Sequence, residues 1–121
     1  MTTEHIATQT LYERSATTLD IPLTDEDGEA LQAASVQAIT AQFRSLDTGA
    51  DLWETPRDIA SGLDDGTLSV DLTSDDLAMV TSRSLERRTL TISIQYATSK
   101  ERHIAVPCEL RRVIGAYDMT P

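Results

Sequence analysis

Asp25-Glu26-Asp27-Gly28-Glu29 crowds four carboxylates around a glycine, a donor set suited to a hard, oxygen-seeking cation such as Ca²⁺. It is not an EF-hand, because the full loop spacing and the closing bidentate Glu are missing. Asp64-Asp65 and Asp75-Asp76 could add oxygens only if the fold gathered them. Acidic Gly-marked turns are routine between strands. Asp25, Asp27 and Glu29 are therefore the candidate metal ligands, while the expectation is that they are turn residues and that the chain takes no metal or cofactor.

The other reactive residue types are sparse. His5 and His103 stand alone, outside any ligand spacing. No Gly-x-Ser-x-Gly elbow and no Gly-rich phosphate loop occurs. The single cysteine, Cys108, excludes an internal disulfide and shares the phase of Ile104, Val106 and Leu110, so it reads as a buried apolar residue. No enzyme is expected from this set. The arginine pairs are more suggestive. Arg87-Arg88 opens one strand of a hairpin and Arg111-Arg112 lies near the end of the other, so antiparallel pairing brings both to one end of a sheet. There they either pair locally with Glu86 and Glu109 or form a docking patch for a carboxylate-rich neighbour.

The elements that must carry these residues are mostly strands. Alternation over Thr17–Leu23 puts Leu19, Ile21 and Leu23 on one face, and Pro22 marks an edge or a bulge. Residues 30–35 suit one helical turn. Extended patterning resumes from Val36 with Ile39, Ala41 and Phe43 in phase, then at Leu52–Thr55 and Arg57–Ala60 around Pro56, and at Thr67–Leu72. Thr73-Ser74-Asp75-Asp76 reads as the start of a short helix near 75–82, with a hydroxyl cap and acids at the positive end of the dipole. The strongest pattern is the last hairpin, Arg88–Thr98 and Arg102–Val113. The expectation is a single all-β antiparallel sandwich, Ig-like, of about seven strands. It spans 16–114, between an N-terminal arm (1–15) and a C-terminal tail (115–121). The arm residues Ile6, Leu11 and Tyr12, with Arg87, Arg88, Arg111 and Arg112, are the expected contact residues.

Composition bounds the function. At 121 residues the chain is one domain's length, and 40% apolar content suffices for a core. A net charge of −10 opposes binding nucleic acid through a broad phosphate-contacting surface. Residues 1–76 hold sixteen acids and three bases, whereas 77–121 hold four acids and seven bases. If folding preserves that asymmetry, copies could meet head to tail. No apolar run reaches the length of a membrane span, and Met1-Thr2-Thr3-Glu4-His5 lacks signal-peptide features. The protein is expected to be made and kept in a cytoplasm, or assembled from there.

Several segments together resemble a known class. Leu19-Asp20-Ile21-Pro22-Leu23 looks like an opening strand and Asp25-Glu26-Asp27-Gly28-Glu29-Ala30-Leu31 like its turn. Ile39-Thr40-Ala41-Gln42-Phe43-Arg44, the run Asp65–Asp76 and the closing hairpin fit the same order. The chain resembles short β-sandwich structural proteins of tailed bacteriophages, similar to the N-terminal domain of phage baseplate upper proteins and related Ig-like virion modules. That resemblance implies a non-enzymatic virion protein of the tail or baseplate, neck or capsid. It implies a repeated subunit that assembles with copies of itself and with other virion proteins, while the net charge and the lack of a long apolar run leave no direct contact with nucleic acid or membrane expected. The alternative is an Ig-like binding module that recognises carbohydrate or a host-surface ligand through its acidic loops, assisted by Ca²⁺.

Overall fold

A computed structural model describes residues 3–25, 27–81 and 84–112. The chain folds as an all-β sandwich of two sheets. The larger sheet contains β1 (Thr3–His5), β2 (Gln9–Tyr12), β4 (Val36–Ser45), β5 (Arg57–Asp58), β8 (Leu85–Tyr96) and β9 (Glu101–Arg111). Its order is β1 and β2 on β9, then β8, β4 and β5. The smaller sheet has the order β3 (Thr17–Pro22), β7 (Thr67–Leu72), β6 (Leu63–Asp64).

Alternation decides which side chains meet between the sheets. Phe43 from β4, Leu90, Ile92 and Ile94 from β8, and Ile104, Val106 and Leu110 from β9 face Ile21 from β3 and Leu68, Val70 and Leu72 from β7. Leu31, Trp53 and Leu77 fill the ends from loops. Cys108 is buried among them, as its phase requires, and burial pushes its thiol up to about 12.

Four expectations change. The sheets are not wholly antiparallel, because β1 and β2 run parallel to β9. Residues 3–12 are therefore not a free arm. The segment 75–82 is not a helix: Ser74–Leu77 form a hydrogen-bonded turn, and the chain beyond it is irregular. Leu77 N–H reaches Thr73 and Ser74 carbonyls, but Arg88 takes the carbonyls of Asp76 and Ala78, which a continuing helix would need. Leu52–Thr55 is a bend and not a strand. Gln42 Oε1 accepts the Trp53 N–H at 3.2 Å and holds the segment away from a ladder. The C-terminal tail 115–121 lies outside the described residues.

Two prolines sit inside strands, and the ladder phase explains why each is tolerated. Leu23 N–H donates to Gly66 at 2.6 Å, so odd positions of β3 bond β7 and the Pro22 nitrogen faces the open edge. Arg112 N–H donates to Ser84, so even positions of β9 bond β8. Pro107 therefore turns its nitrogen toward the N-terminal strands. Those strands break there: β1 pairs up to Ala105, and β2 resumes at Cys108.

Candidate functional site

One end of the sandwich gathers most of the unusual chemistry. Glu86 and Arg88 share the inward phase of Leu90, Ile92 and Ile94, and both are completely enclosed. Arg88 Nε donates to Glu86 Oε2 at 2.5 Å, and its two terminal nitrogens donate to the carbonyls of Asp76 and Ala78 at 2.6 Å each. Glu86 Oε1 accepts the amides of Val80 and Thr81 at 2.9 and 3.0 Å. The guanidinium lies 5.1 Å from the Phe43 ring centre. The pair closes this end of the core and straps the β7–β8 loop onto the larger sheet.

Asp76 is the second junction in that loop. It accepts from Trp53 Nε1 at 3.0 Å, from both terminal nitrogens of Arg57 at 2.9 and 3.1 Å, and from the Thr73 amide at 2.8 Å. Its own amide donates to Thr73 Oγ1 at 3.2 Å. Burial opposes its ionisation most strongly, but the bonds from Arg57, Thr73 and Trp53 together outweigh it and hold the carboxyl below its usual range. Arg57 stacks over Trp53 with its guanidinium carbon 4.0 Å from the ring centre. These residues line an open cleft of about 500 Å³ with Glu54, Asp75 and Val80. Its basic group is already engaged by Asp76, so among the described residues the cleft offers no unpaired cation to an anionic ligand.

Around the rim stand exposed side chains of another kind. Tyr12 and Leu46 keep 52% and 54% of their surface in solvent. Register places Tyr12 beside Arg111, and Arg111 beside Leu85, on the outer face of the larger sheet. Leu46 follows Ser45 at the end of β4, and its amide donates to the Arg87 carbonyl at 2.8 Å. Arg87 and Arg111 are more than half exposed, held loosely to Asp47 at 3.6 Å and Glu109 at 3.2 Å.

The expected contact residues thus divide. The hairpin does bring both arginine pairs to one end, yet they do not form a four-guanidinium cluster. Alternation sends Arg88 into the core, and Arg112 turns to the Thr81 carbonyl at 2.7 Å and to Glu13. Leu11 is a core residue and Ile6 packs against the core. Tyr12, Arg87 and Arg111 remain on the surface, joined by Leu46, which a strand ending in a turn left unmarked in the sequence. The inward phase of Glu86 and Arg88 was the available signal for their burial.

The opposite end is acidic. Asp25 Oδ1 accepts the amides of Asp27 and Glu29 at 2.9 and 3.0 Å, and Gly28 adopts φ +81, so this carboxylate shapes its own turn. Gly66 N–H donates to Leu31 and Gln32 Nε2 to Asp65, which places Asp64-Asp65 beside this loop. Arg102 binds Glu4 and donates to the Thr24 carbonyl at 2.8 Å, closing the core here as Arg88 does at the other end. That hydrogen bond keeps the Glu4 carboxyl below its usual range and raises Arg102. Among the described residues no group of three His, Cys, Asp or Glu is placed to share a metal ion.

Away from both ends, Ser93 Oγ lies 3.2 Å from His103 Nδ1, and His103 Nε2 lies 3.7 Å from Glu101. The order resembles a nucleophile, base and orienting acid. Ser93 is mid-strand between β4 and β9, so its amide is committed to the ladder and an oxyanion would find no free backbone N–H beside it. No helix among the described residues is long and apolar enough to cross a membrane. Comparison with known proteins finds no matching family model, and neither a curated protein nor a solved structure that matches the chain.

Proposed function

We propose that this chain is a non-enzymatic structural subunit of a bacteriophage virion that works by associating with copies of itself and with other virion proteins. The observation that carries the reading is the pairing of exposed Tyr12 and Leu46 with exposed Arg87 and Arg111 at one end of an otherwise acidic sandwich. Aromatic and arginine side chains beside apolar surface are the residue types that anchor protein–protein contacts. The strand and turn order resembling phage virion sandwiches supplies the setting. Ligand binding through the acidic loops has less support, since one oxygen of the Asp25 carboxylate already accepts the amides of Asp27 and Glu29.

Sedimentation over a wide concentration range, with mass spectrometry of purified particles, tests the reading. The expected result is a mass that rises with concentration and the chain's peptides in the particles. A protein that stays monomeric and is missing from particles would overturn it.

A further inference from the structure

We infer that two copies of this chain exchange residues 3–13, the first strands of each copy seating on β9 of the other. The inference rests on the assembly reading above and specifies one contact within it. The segment must be seated somewhere, because Leu11 keeps only 2% of its surface in solvent and, with Ile6, closes the core beside Leu110. Both of its strands pair with β9, about a hundred residues away in the sequence. The ion pairs Glu4–Arg102 and Glu13–Arg112 join the same two segments. An identical copy offers identical contacts, so the seat does not distinguish the chain's own strands from a neighbour's.

The link to the rest of the fold favours the neighbour. Glu13 N–H still donates to the Arg111 carbonyl at 2.8 Å, so only Arg14-Ser15-Ala16 separates the seated segment from β3 in the other sheet. The chain closes on itself there through a tight turn, in which Ser15 N–H donates to the Tyr12 carbonyl at 3.1 Å and Arg14 takes φ +55. That left-handed conformation crowds Cβ against the backbone, and arginine lacks the short polar side chain that lets Asn or Asp bear it. Short, strained hinges invite exchange, because straightening the link relieves the turn while every seated contact is remade on the neighbour. Arg14 N–H keeps its bond as well, since its acceptor, the Leu77 carbonyl, belongs to the body that carries β9. The seat also selects its occupant. β1 and β2 break between His5 and Gln9, opposite Pro107, whereas a continuous foreign strand would set a carbonyl against the missing N–H. Reciprocal exchange closes on itself as a two-fold dimer. Its hinges lie at the end of the sandwich where Tyr12 and Leu46 are exposed.

The test places a disulfide across the seat. Thr10 and Glu109 are register partners on the outer face, so the full-length T10C/E109C chain, with Cys108→Ala to remove the native thiol, links β2 to whichever β9 it occupies. The chain is refolded over a range of concentrations, oxidised with glutathione disulfide and sized under denaturing, non-reducing conditions. Covalent dimers are expected at high concentration and covalent monomers when dilute, with no dimer from either single-cysteine chain. The hinge supplies a second readout by sedimentation. Arg14→Gly, which fits the closed turn, is expected to weaken the dimer by about tenfold or more in Kd relative to Arg14→Val, which does not. Covalent monomers at every concentration, or equal Kd values for the two hinge variants, would overturn the exchange. Such a result would leave assembly through another surface in place if the wild-type mass still rises with concentration, and particle mass spectrometry decides the virion reading separately.

Discussion

Glu86 and Arg88, two residues apart on β8, turn their side chains into the core and bond each other at 2.5 Å while holding four backbone groups of the preceding β7–β8 loop, between Asp76 and Thr81. Buried pairs rarely add net stability, but removing one partner is costly. Arg88→Met is expected to destabilise the fold by about 3–5 kcal/mol, since it strands the Glu86 carboxylate and two carbonyls. The double change E86L/R88M should recover part of that loss. Urea unfolding of the three proteins measures it, and a single variant as stable as wild type would contradict the enclosed pair.

Asp76 should make stability fall in acid. Its folded carboxyl titrates below the unfolded value, so its contribution is complete above about pH 4 and disappears as pH falls through the folded pKa. Asp76→Asn should therefore flatten the loss of stability below about pH 4 and lower stability at pH 7 by about 1–3 kcal/mol. Trp53, whose indole donates to this carboxylate, gives a fluorescence readout of the same titration.

Two glycines are held by their surroundings. A Cβ on Gly62 would lie 2.2 Å from the Ser69 carbonyl oxygen, and one on Gly66 would meet the Ala30 Cβ at 2.7 Å with φ at +82. Alanine at either site is expected to cost about 2 kcal/mol or more. Gly49 also has positive φ but open space around it, so Gly49→Ala should cost about 1 kcal/mol. Thermal melts of the three variants rank them.

Cys108 should be inert in the native protein. Its sulfur is buried and its thiol is pushed up to about 12, so little thiolate exists at pH 8. A disulfide reagent is expected to modify it only as fast as the chain unfolds, and at once in denaturant.

Period-two patterning made β3, β4, β7, β8 and β9 legible, because each buries one face against the other sheet. It could not announce β1 and β2. Their partner strand lies about a hundred residues away, and Pro107 splits the pairing into pieces too short to show a period. The helix near 75–82 fails for a related reason: its start signals are present, and Thr73 and Asp76 do exchange hydrogen bonds, but a distant arginine claims the carbonyls. Local chemistry named the turns well, since Asp25 and Gly28 act as turn residues. The site was half visible, because listing four arginines by sequence position ignores the alternation that sends Arg88 inward and Arg87 outward.

The parallel seating of the first strands on the last one also sets an order of folding. Leu11 reaches the core only once Leu110 is in place, so the beginning of the chain waits for its final strand to be synthesised. Loop closure across nearly the whole chain makes that docking slow and late. Until then β9 presents a bare edge of unpaired backbone groups. Pro107 guards that edge, because it denies any strand seated there a continuous ladder.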